Sequence, residues 1–459
     1  MAFIRKIRKG KNVYLQLVES RRIDGKVVQR HLKYLGKEIE GRVVKRVNPY
    51  EVEAESVKHC ADVLVIDKMA DLLGLKNLFN DKNILAFVYS HLLERPSIRK
   101  LGEWFSYTEI PEILGLEKIS TQRLYETLGE LSEMDFTKVE EGIFSKLKDY
   151  ERGRRSIIID VTDTYFEGSS IEDEPRRGKD GRYKKLIQVG LGITERYGFP
   201  VMMRTYAGNI SNFMIFKDLF AALVEKGFKS VVIDRGMGCE ENIRAVEIAQ
   251  MSIISGLRKT PNLKRRYLDR IKREEIYCPA KRVALKKTAV YIQEFDYFKG
   301  KLIVVYNPQM EVVRREIIYE GGGREEEAKY VGYSFIYHNT DLSSEEVVKK
   351  YYEKEIIERA FKKLKGILSL RPIRVWTKEH IEGHIRVCYV AYAILSLLEY
   401  YLAKGRFELS ALELLEKLKR GYRIYLKDSK SNFSWTTTVL LEKELYKLLD
   451  YLGVVYKNE

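Results

Sequence analysis

Ser156-Ile157-Ile158-Ile159-Asp160-Val161 and Ser230-Val231-Val232-Ile233-Asp234 are the stretches on which the fold turns. Each is a short apolar run that reaches a carboxylate, the pattern expected of a buried central strand. After the first, a polar loop extends to about residue 185. Ile187-Gln188-Val189-Gly190-Leu191-Gly192-Ile193-Thr194 and Pro200-Val201-Met202-Met203-Arg204-Thr205-Tyr206 then read as strands joined by a turn at Glu195-Arg196-Tyr197-Gly198. A helix is expected over roughly 212–226, and another from Glu240 to Gln250. Ser252-Ile253-Ile254-Ser255-Gly256 reads as a fifth strand.

The order is three strands, helix, strand, helix, strand, with acids at the ends of the first and fourth strands. It is the order of the ribonuclease-H-like fold. The expected class is therefore α/β, with a mixed five-stranded sheet and helices as a core that spans 151–262 and resumes at 342–402. Asp163 competes with Asp160 for the first acidic position, but Asp160 directly ends the apolar run.

Working outward, residues 263–341 break the alternation. Ala289-Val290-Tyr291-Ile292-Gln293 and Leu302-Ile303-Val304-Val305-Tyr306 suggest strands, and Gly321-Gly322-Gly323 a turn, so this span is expected to be a β-rich insertion. Ser343 and Glu346 form a capping-box pattern at the start of a long helix that should run to about Lys365, where Gly366 can end it. At about 100° per residue, Tyr351, Glu358 and Lys365 align on one side, with Lys354 close to the row. Ile357, Ala360, Phe361, Leu364 and Leu368 form the adjacent apolar stripe, so Glu358 is expected at the edge of the buried face. A second helix carries Ile381 to Tyr401, and 403–459 is expected to be a helical tail.

At the other end, residues 1–51 read as a basic β-hairpin module. Val13 to Val18 and Val27 to Leu32 flank Asp24-Gly25, which suits a tight turn. Arg5, Lys6, Arg8, Lys9 and Lys11 could grip a DNA backbone or simply guard a sheet edge. Residues 52–150 turn helical, with Val63, Ile66, Met69, Leu72 and Leu73, then Leu85, Val88, Leu92 and Leu93, at helical spacing. This segment is expected to recognise DNA ends.

The 459 residues exceed one hydrophobic core. Lys plus Arg number 82 against 66 Asp plus Glu, a net charge of +16 that favours a polyanionic partner. Cys60, Cys239, Cys278 and Cys388 lie too far apart for a zinc ribbon or a disulfide framework, and suit a reducing cytoplasm. The N-terminus lacks a signal-peptide block, and Val387 to Leu398, broken by Ser396, reads as a buried helix rather than a membrane span. His380 and His384 stand four apart but suggest no third ligand, so structural or DNA-contact roles are expected of them.

The spacing Tyr351-x2-Lys354-x3-Glu358-x6-Lys365 resembles the Tyr-Arg-Glu-Lys signature of a group of insertion-sequence transposases with an Asp-Asp-Glu triad. Ile159-Asp160-Val161-Thr162-Asp163-Thr164-Tyr165-Phe166-Glu167 resembles the segment of their first aspartate, and Asp234-Arg235-Gly236-Met237 that of their second. Gly178-Lys179-Asp180-Gly181-Arg182, Gly208-Asn209, Leu370-Arg371-Pro372 and Ile381-Glu382-Gly383-His384 follow in matching order, so the likeness spans about 156–400. It implies that Asp160, Asp234 and Glu358 are catalytic and hold divalent metal, Mg²⁺ or Mn²⁺, as two ions. It further implies DNA contacts by Tyr351, Lys354, Lys365 and Arg235. It also implies an aromatic of the insertion holding a flipped base.

There are two departures from the signature. Lys354 stands where it has Arg, which keeps the charge and loses the bidentate fork. The insertion has no Trp, which leaves Tyr291, Phe295, Tyr297, Phe298 or Tyr306 for any stacking. The expected protein is a cytoplasmic, nucleoid-associated DNA transposase with no membrane and no small-molecule substrate. It binds terminal inverted repeats, pairs transposon ends as a homodimer, and cuts and joins them to target double-stranded DNA. The alternatives are a ribonuclease-H-like nuclease without strand transfer and a domesticated DNA-binding protein without chemistry.

Overall fold

The computed structural model describes all residues but 1, 24–25, 40–41, 45–50, 118, 152–155, 166–175, 178–182, 323–324, 371–372, 374, 376, 430–432, 441 and 457–459. Internal contacts divide the chain into two units, one of Met1–Lys58, Gly421–Leu441 and Tyr456–Glu459, the other of His59–Arg420 and Glu442–Val455.

In the smaller unit Ala2–Lys9, Asn12–Ile23, Lys26–Ile39 and Arg42–Val44 form an antiparallel four-stranded sheet in that order. The hairpin partners Ile23 and Lys26 close on Asp24-Gly25, which lies outside the described residues. The basic first strand is a sheet edge, where Lys6 pairs with Glu38 at 2.8 Å. A second sheet joins Val52–His59 to the hairpin Gly421–Asp428 and Phe433–Leu440. The tail expected to be helical therefore holds a hairpin. Its signal was the β-branched run Thr436-Thr437-Thr438-Val439, which suits a pleated surface better than a helix.

The larger unit opens with helices. Val63, Ile66 and Met69 of the helix Ala61–Leu72 are buried, as are Leu85, Val88 and Leu92 of α1 (Lys82–Leu92). Ser120 caps α2 (Thr121–Glu133) by accepting from the Arg123 amide. Asp62 is buried among them, 2% exposed, accepting from the Val63 amide at 2.8 Å. Burial pushes its carboxyl up to about 7 from 3.8, against the pull of the Val63 amide and Lys419.

The folded chain therefore keeps a proton that the unfolded chain releases. The stabilisation is complete below about pH 4 and is lost as pH rises through about 7, by up to about 4 kcal/mol. Asp62→Asn should raise the melting temperature more at pH 8 than at pH 5. Equal gains at both would contradict the assignment.

The sheet of this unit follows. β1 (Ser156–Tyr165), β2 (Leu186–Thr194) and β3 (Pro200–Ala207) are antiparallel neighbours. α3 (Asn212–Glu225) leads to β4 (Ser230–Ile233), parallel to β1, and α4 (Glu240–Ile248) leads to β5 (Ser252–Leu257), parallel to β4. The expected element order is thus present, and Ile157, Ile158 and Ile159 of β1 form a continuous apolar run, all buried because both faces are covered. Ile157, Ile159, Val161, Val231 and Ile233 pack with Ile215, Phe216 and Leu219 of α3 and with Ile243 and Val246 of α4.

The sheet is wider than expected. β6 (Arg282–Ala284), β7 (Ala289–Tyr297), β8 (Gly300–Tyr306) and β9 (Tyr333–His338) extend it beyond β5, giving nine strands in the order β3-β2-β1-β4-β5-β9-β8-β7-β6. The insertion is also partly helical, at Pro261–Tyr267 and Pro308–Glu320. The latter buries only Glu311, so it offers no apolar stripe for a sequence reading to find.

The single helix expected over 343–365 is three pieces. α5 (Ser344–Tyr352) starts at the expected capping box, a turn intervenes at Glu353-Lys354, and α6 (Glu355–Lys362) runs into a π-turn, Lys363–Ile367. The interrupted ladder invalidates a constant 100° step, so the alignment of Tyr351, Glu358 and Lys365 does not follow. α7 (Lys378–Lys404) is long and apolar enough to cross a membrane, yet 78% of its most apolar window is buried within the protein.

Candidate active site

Ile159 of β1 and Ile233 of β4 are paired neighbours, and Asp160 and Asp234 are the next residues of each. Parallel strands lie about 4.8 Å apart, so the two aspartates stand side by side at the sheet. Asp160 alternates away from Ile159 and Val161, onto the face opposite α3 and α4. It is half-buried and accepts from the Val161 amide at 2.8 Å.

Asp234 ends its strand in a tight turn, where its carbonyl accepts from the amides of Met237 (3.0 Å) and Gly238 (3.1 Å). Its carboxylate is met by Tyr351, near the far end of α5, and by Lys354, in the turn that follows. The Tyr351 hydroxyl donates to Oδ1 at 3.3 Å, and the Lys354 ammonium forms an ion pair with the same oxygen. Burial alone would raise the Asp234 carboxyl. Lys354, together with the amides of Arg235 and Gly236, overcomes this and holds it below the usual carboxylate range. Burial likewise opposes the Lys354 charge, but Tyr351 and Asp234 keep it above its ordinary value. Burial pushes the Tyr351 hydroxyl up to about 12.

The Glu353-Lys354 turn places Lys354 there. Its i→i+3 bonds, Ile356 to Glu353 at 3.2 Å and Ile357 to Lys354 at 3.0 Å, tighten the backbone just where the side chain leaves for Asp234. Tyr351 in turn needs the absence of a side chain at Gly256 on β5, where a Cβ would lie 2.1 Å from its hydroxyl oxygen and 2.9 Å from Cζ. Gly256→Ala should displace Tyr351 and cost about 1–3 kcal/mol. Adding Tyr351→Phe should return part of the lost melting temperature; no recovery would show that this contact is not the cause.

α6 packs on β1, the strand of Asp160, through a face of Ile357, Ala360 and Phe361. Glu358 on that helix is exposed. Lys365, in the π-turn, lies 3.5 Å from Oδ1 of the buried Asp163 rather than in a row with Tyr351. The competitor Asp163 thus has a cationic partner of its own.

Three residues escaped the sequence reading. A cavity of about 430 Å³ opens beside Asp234, lined by Asn212, Arg235, Gly236, Arg258 and Lys259. Lys259 donates to the Tyr330 carbonyl at 2.9 Å, and burial beside Arg314, Lys264 and Arg235 lowers its ammonium. The signal was available: Arg258-Lys259 directly follows β5, and ligands gather at the carboxyl ends of parallel strands.

Of the five aromatics proposed for stacking, Tyr306 and Tyr297 are buried, while Tyr291 and Phe295 are half-buried. Phe298 is 43% exposed, at positive φ (48°), with Arg244 over its ring at 5.4 Å. His380 packs on Tyr125, with ring centroids 5.3 Å apart, and His384 is buried. The Gly178–Arg182 and Arg371-Pro372 matches, and Phe166-Glu167 of the first-aspartate match, lie outside the described residues.

Two acids thus follow paired strand residues, with a lysine–tyrosine pair on one of them and a basic cavity alongside. Residues 151–394 match the family described as "Transposase DDE domain", and the chain belongs to that family. Residues 4–47 match the "IS1634 family transposase, N-terminal domain", which makes the protein a DNA transposase of the insertion-sequence kind. No curated protein matches the sequence significantly. Among solved structures, a cryo-EM piggyBac transposase synaptic complex with hairpin DNA is similar at 9% identity and a TM-score of 0.41, covering 78% of this chain and 77% of that one.

Proposed function

We propose that the transposase cuts and joins DNA at a site built from Asp160, Asp234 and Glu358, on a core of ribonuclease-H-like type. The observation that carries this reading is the pairing of Ile159 with Ile233, which sets two aspartates side by side on parallel strands. The strand order β3-β2-β1-β4-β5 and the docking of the Glu358 helix on β1 support it.

The donor set suits hard divalent cations, being carboxylate oxygens on rigid elements. Neighbouring carboxylates need a positive partner, and Lys354 already supplies one to Asp234. When bound, two Mg²⁺ or Mn²⁺ ions would activate the attacking water or 3′-hydroxyl and stabilise the leaving oxygen.

The chain's own residues do the positioning. Asp160 and Asp234 are fixed by the sheet, and Glu358 approaches on α6. Lys354, which meets the Asp234 carboxylate from the turn after α5, would offer its ammonium to the scissile-strand phosphate. Tyr351, Lys365 and Arg235 hold the backbone alongside it, and Arg258 and Lys259 continue the basic surface. Phe298 is the aromatic best exposed to hold an unstacked base. The protein would act as a homodimer on paired terminal inverted repeats, in the cytoplasm on nucleoid DNA.

The test is an assay with Mg²⁺ and labelled transposon ends bearing 3′-hydroxyls. Joined products are expected. Cleavage without joining would favour a ribonuclease-H-like nuclease, and end binding without either would favour a domesticated DNA-binding protein.

Lys354→Ala and Lys365→Ala should each weaken end binding and reduce the slope of log affinity against log salt by about one. Fluorescence anisotropy across a salt series measures this, and an unchanged slope removes the residue from the phosphate contacts.

A further inference from the structure

Behind the π-turn lies a second cluster of chemically active side chains. His91 on α1 faces His384 on α7 through His384 Nδ1, and Cys388, one turn beyond, has its Sγ 3.7 Å from the other nitrogen of that ring, Nε2. One ligand atom from each falls within 4.8 Å of the others.

The hydrogen bonds around the two rings fix both tautomers. His91 Nδ1 lies 3.0 Å from the Phe87 carbonyl, and His384 Nε2 lies 3.0 Å from the Ser369 carbonyl. A carbonyl only accepts, so both of these nitrogens carry the proton. The remaining nitrogens, His91 Nε2 and His384 Nδ1, then face each other at 3.3 Å as two lone pairs. Such a contact is repulsive unless a positive species sits between them.

We propose that His91, His384 and Cys388 form a binding site for a borderline-soft divalent cation of the zinc class. Zn–N bonds of about 2.0–2.1 Å in a tetrahedral arrangement put two ligating nitrogens about 3.3 Å apart, the separation found here. Three protein ligands from two helices leave a fourth position for water or a carbonyl. On binding, the Cys388 thiol, which donates to the Leu368 carbonyl at 3.1 Å, loses its proton to solvent and ligates as thiolate.

The site's place in the fold gives it a role. Leu368 and Ser369, whose carbonyls the cluster holds, directly follow the π-turn of Lys365, and Ser369 is kept at φ 54°. Arg95, four residues past His91, donates to the Gly366 carbonyl at 3.2 Å and to that of Ile367. A bound cation would clasp α1 to α7 under the segment that leaves the Glu358 helix.

The test uses the full chain, stripped with chelator and titrated with Co²⁺ and Zn²⁺. One equivalent of Co²⁺ should give an intense thiolate-to-cobalt band, retained in the double variant Asp160→Ala/Asp234→Ala and lost in Cys388→Ala. Zn²⁺ should raise the wild-type melting temperature by at least about 3 °C. If Cys388→Ala does not fold, the wild-type titration decides alone. No band at one equivalent, a band that survives Cys388→Ala, or no thermal shift overturns the proposal.

Discussion

Alanine at Asp160, Asp234 or Glu358, introduced singly, is expected to lower metal-dependent cleavage at transposon ends by on the order of 10³-fold. End binding and melting temperature should stay close to wild type for Glu358→Ala, because that side chain is exposed and carries no packing. Asp234→Ala should differ in one respect. It leaves the Lys354 ammonium half-buried beside Tyr351 without its carboxylate, so stability should fall as well. On the proposed site, in which the three acids serve one function, the double variants should be little worse than the singles. Cleavage by any single variant within tenfold of wild type would remove that residue from the site.

The second large effect is structural. Gly383→Ala should destabilise the larger unit, because a Cβ there would lie 2.2 Å from the Leu128 carbonyl oxygen and within 3.0 Å of two more backbone atoms. Neither α2 nor α7 can yield by rotating a side chain. Overpacking of this kind costs about 3 kcal/mol, and the better helix propensity of alanine returns about 1 kcal/mol. A drop in melting temperature of about 5 °C is expected. Gly129→Ala, on the same helix α2, meets nothing within 4 Å and should be neutral or slightly stabilising. Thermal melts of the pair measure the difference, and equal melts would contradict close approach of the two helices at Gly383.

What the sequence made legible follows from local causes. The runs up to Asp160 and Asp234 announced themselves because strands covered on both faces carry near-continuous apolar residues, although β1 itself continues past Asp160 to Tyr165. Ser343 and Glu346 marked a helix start because the cap is a short-range hydrogen-bond arrangement. The break at Glu353-Lys354 was not legible: both residues suit a helix, and the turn sits where a distant aspartate draws the lysine in. The widening of the sheet was equally hidden, since Leu257 finds its partner in Phe335, across the whole insertion. In the buried cluster, the His384–Cys388 spacing is visible in the sequence. His91 is not, because only the packing of α1 on α7 brings it there from 293 residues away.

The central claim is best tested by the anomalous signal of Mn²⁺ in crystals of the transposase bound to a transposon end. A strong peak is expected in contact with the carboxylates of both Asp160 and Asp234, with that of Glu358 closing on the same position and Lys354 turned to phosphate. Manganese held by other residues, or Glu358 remote from the peak with DNA in place, would contradict it.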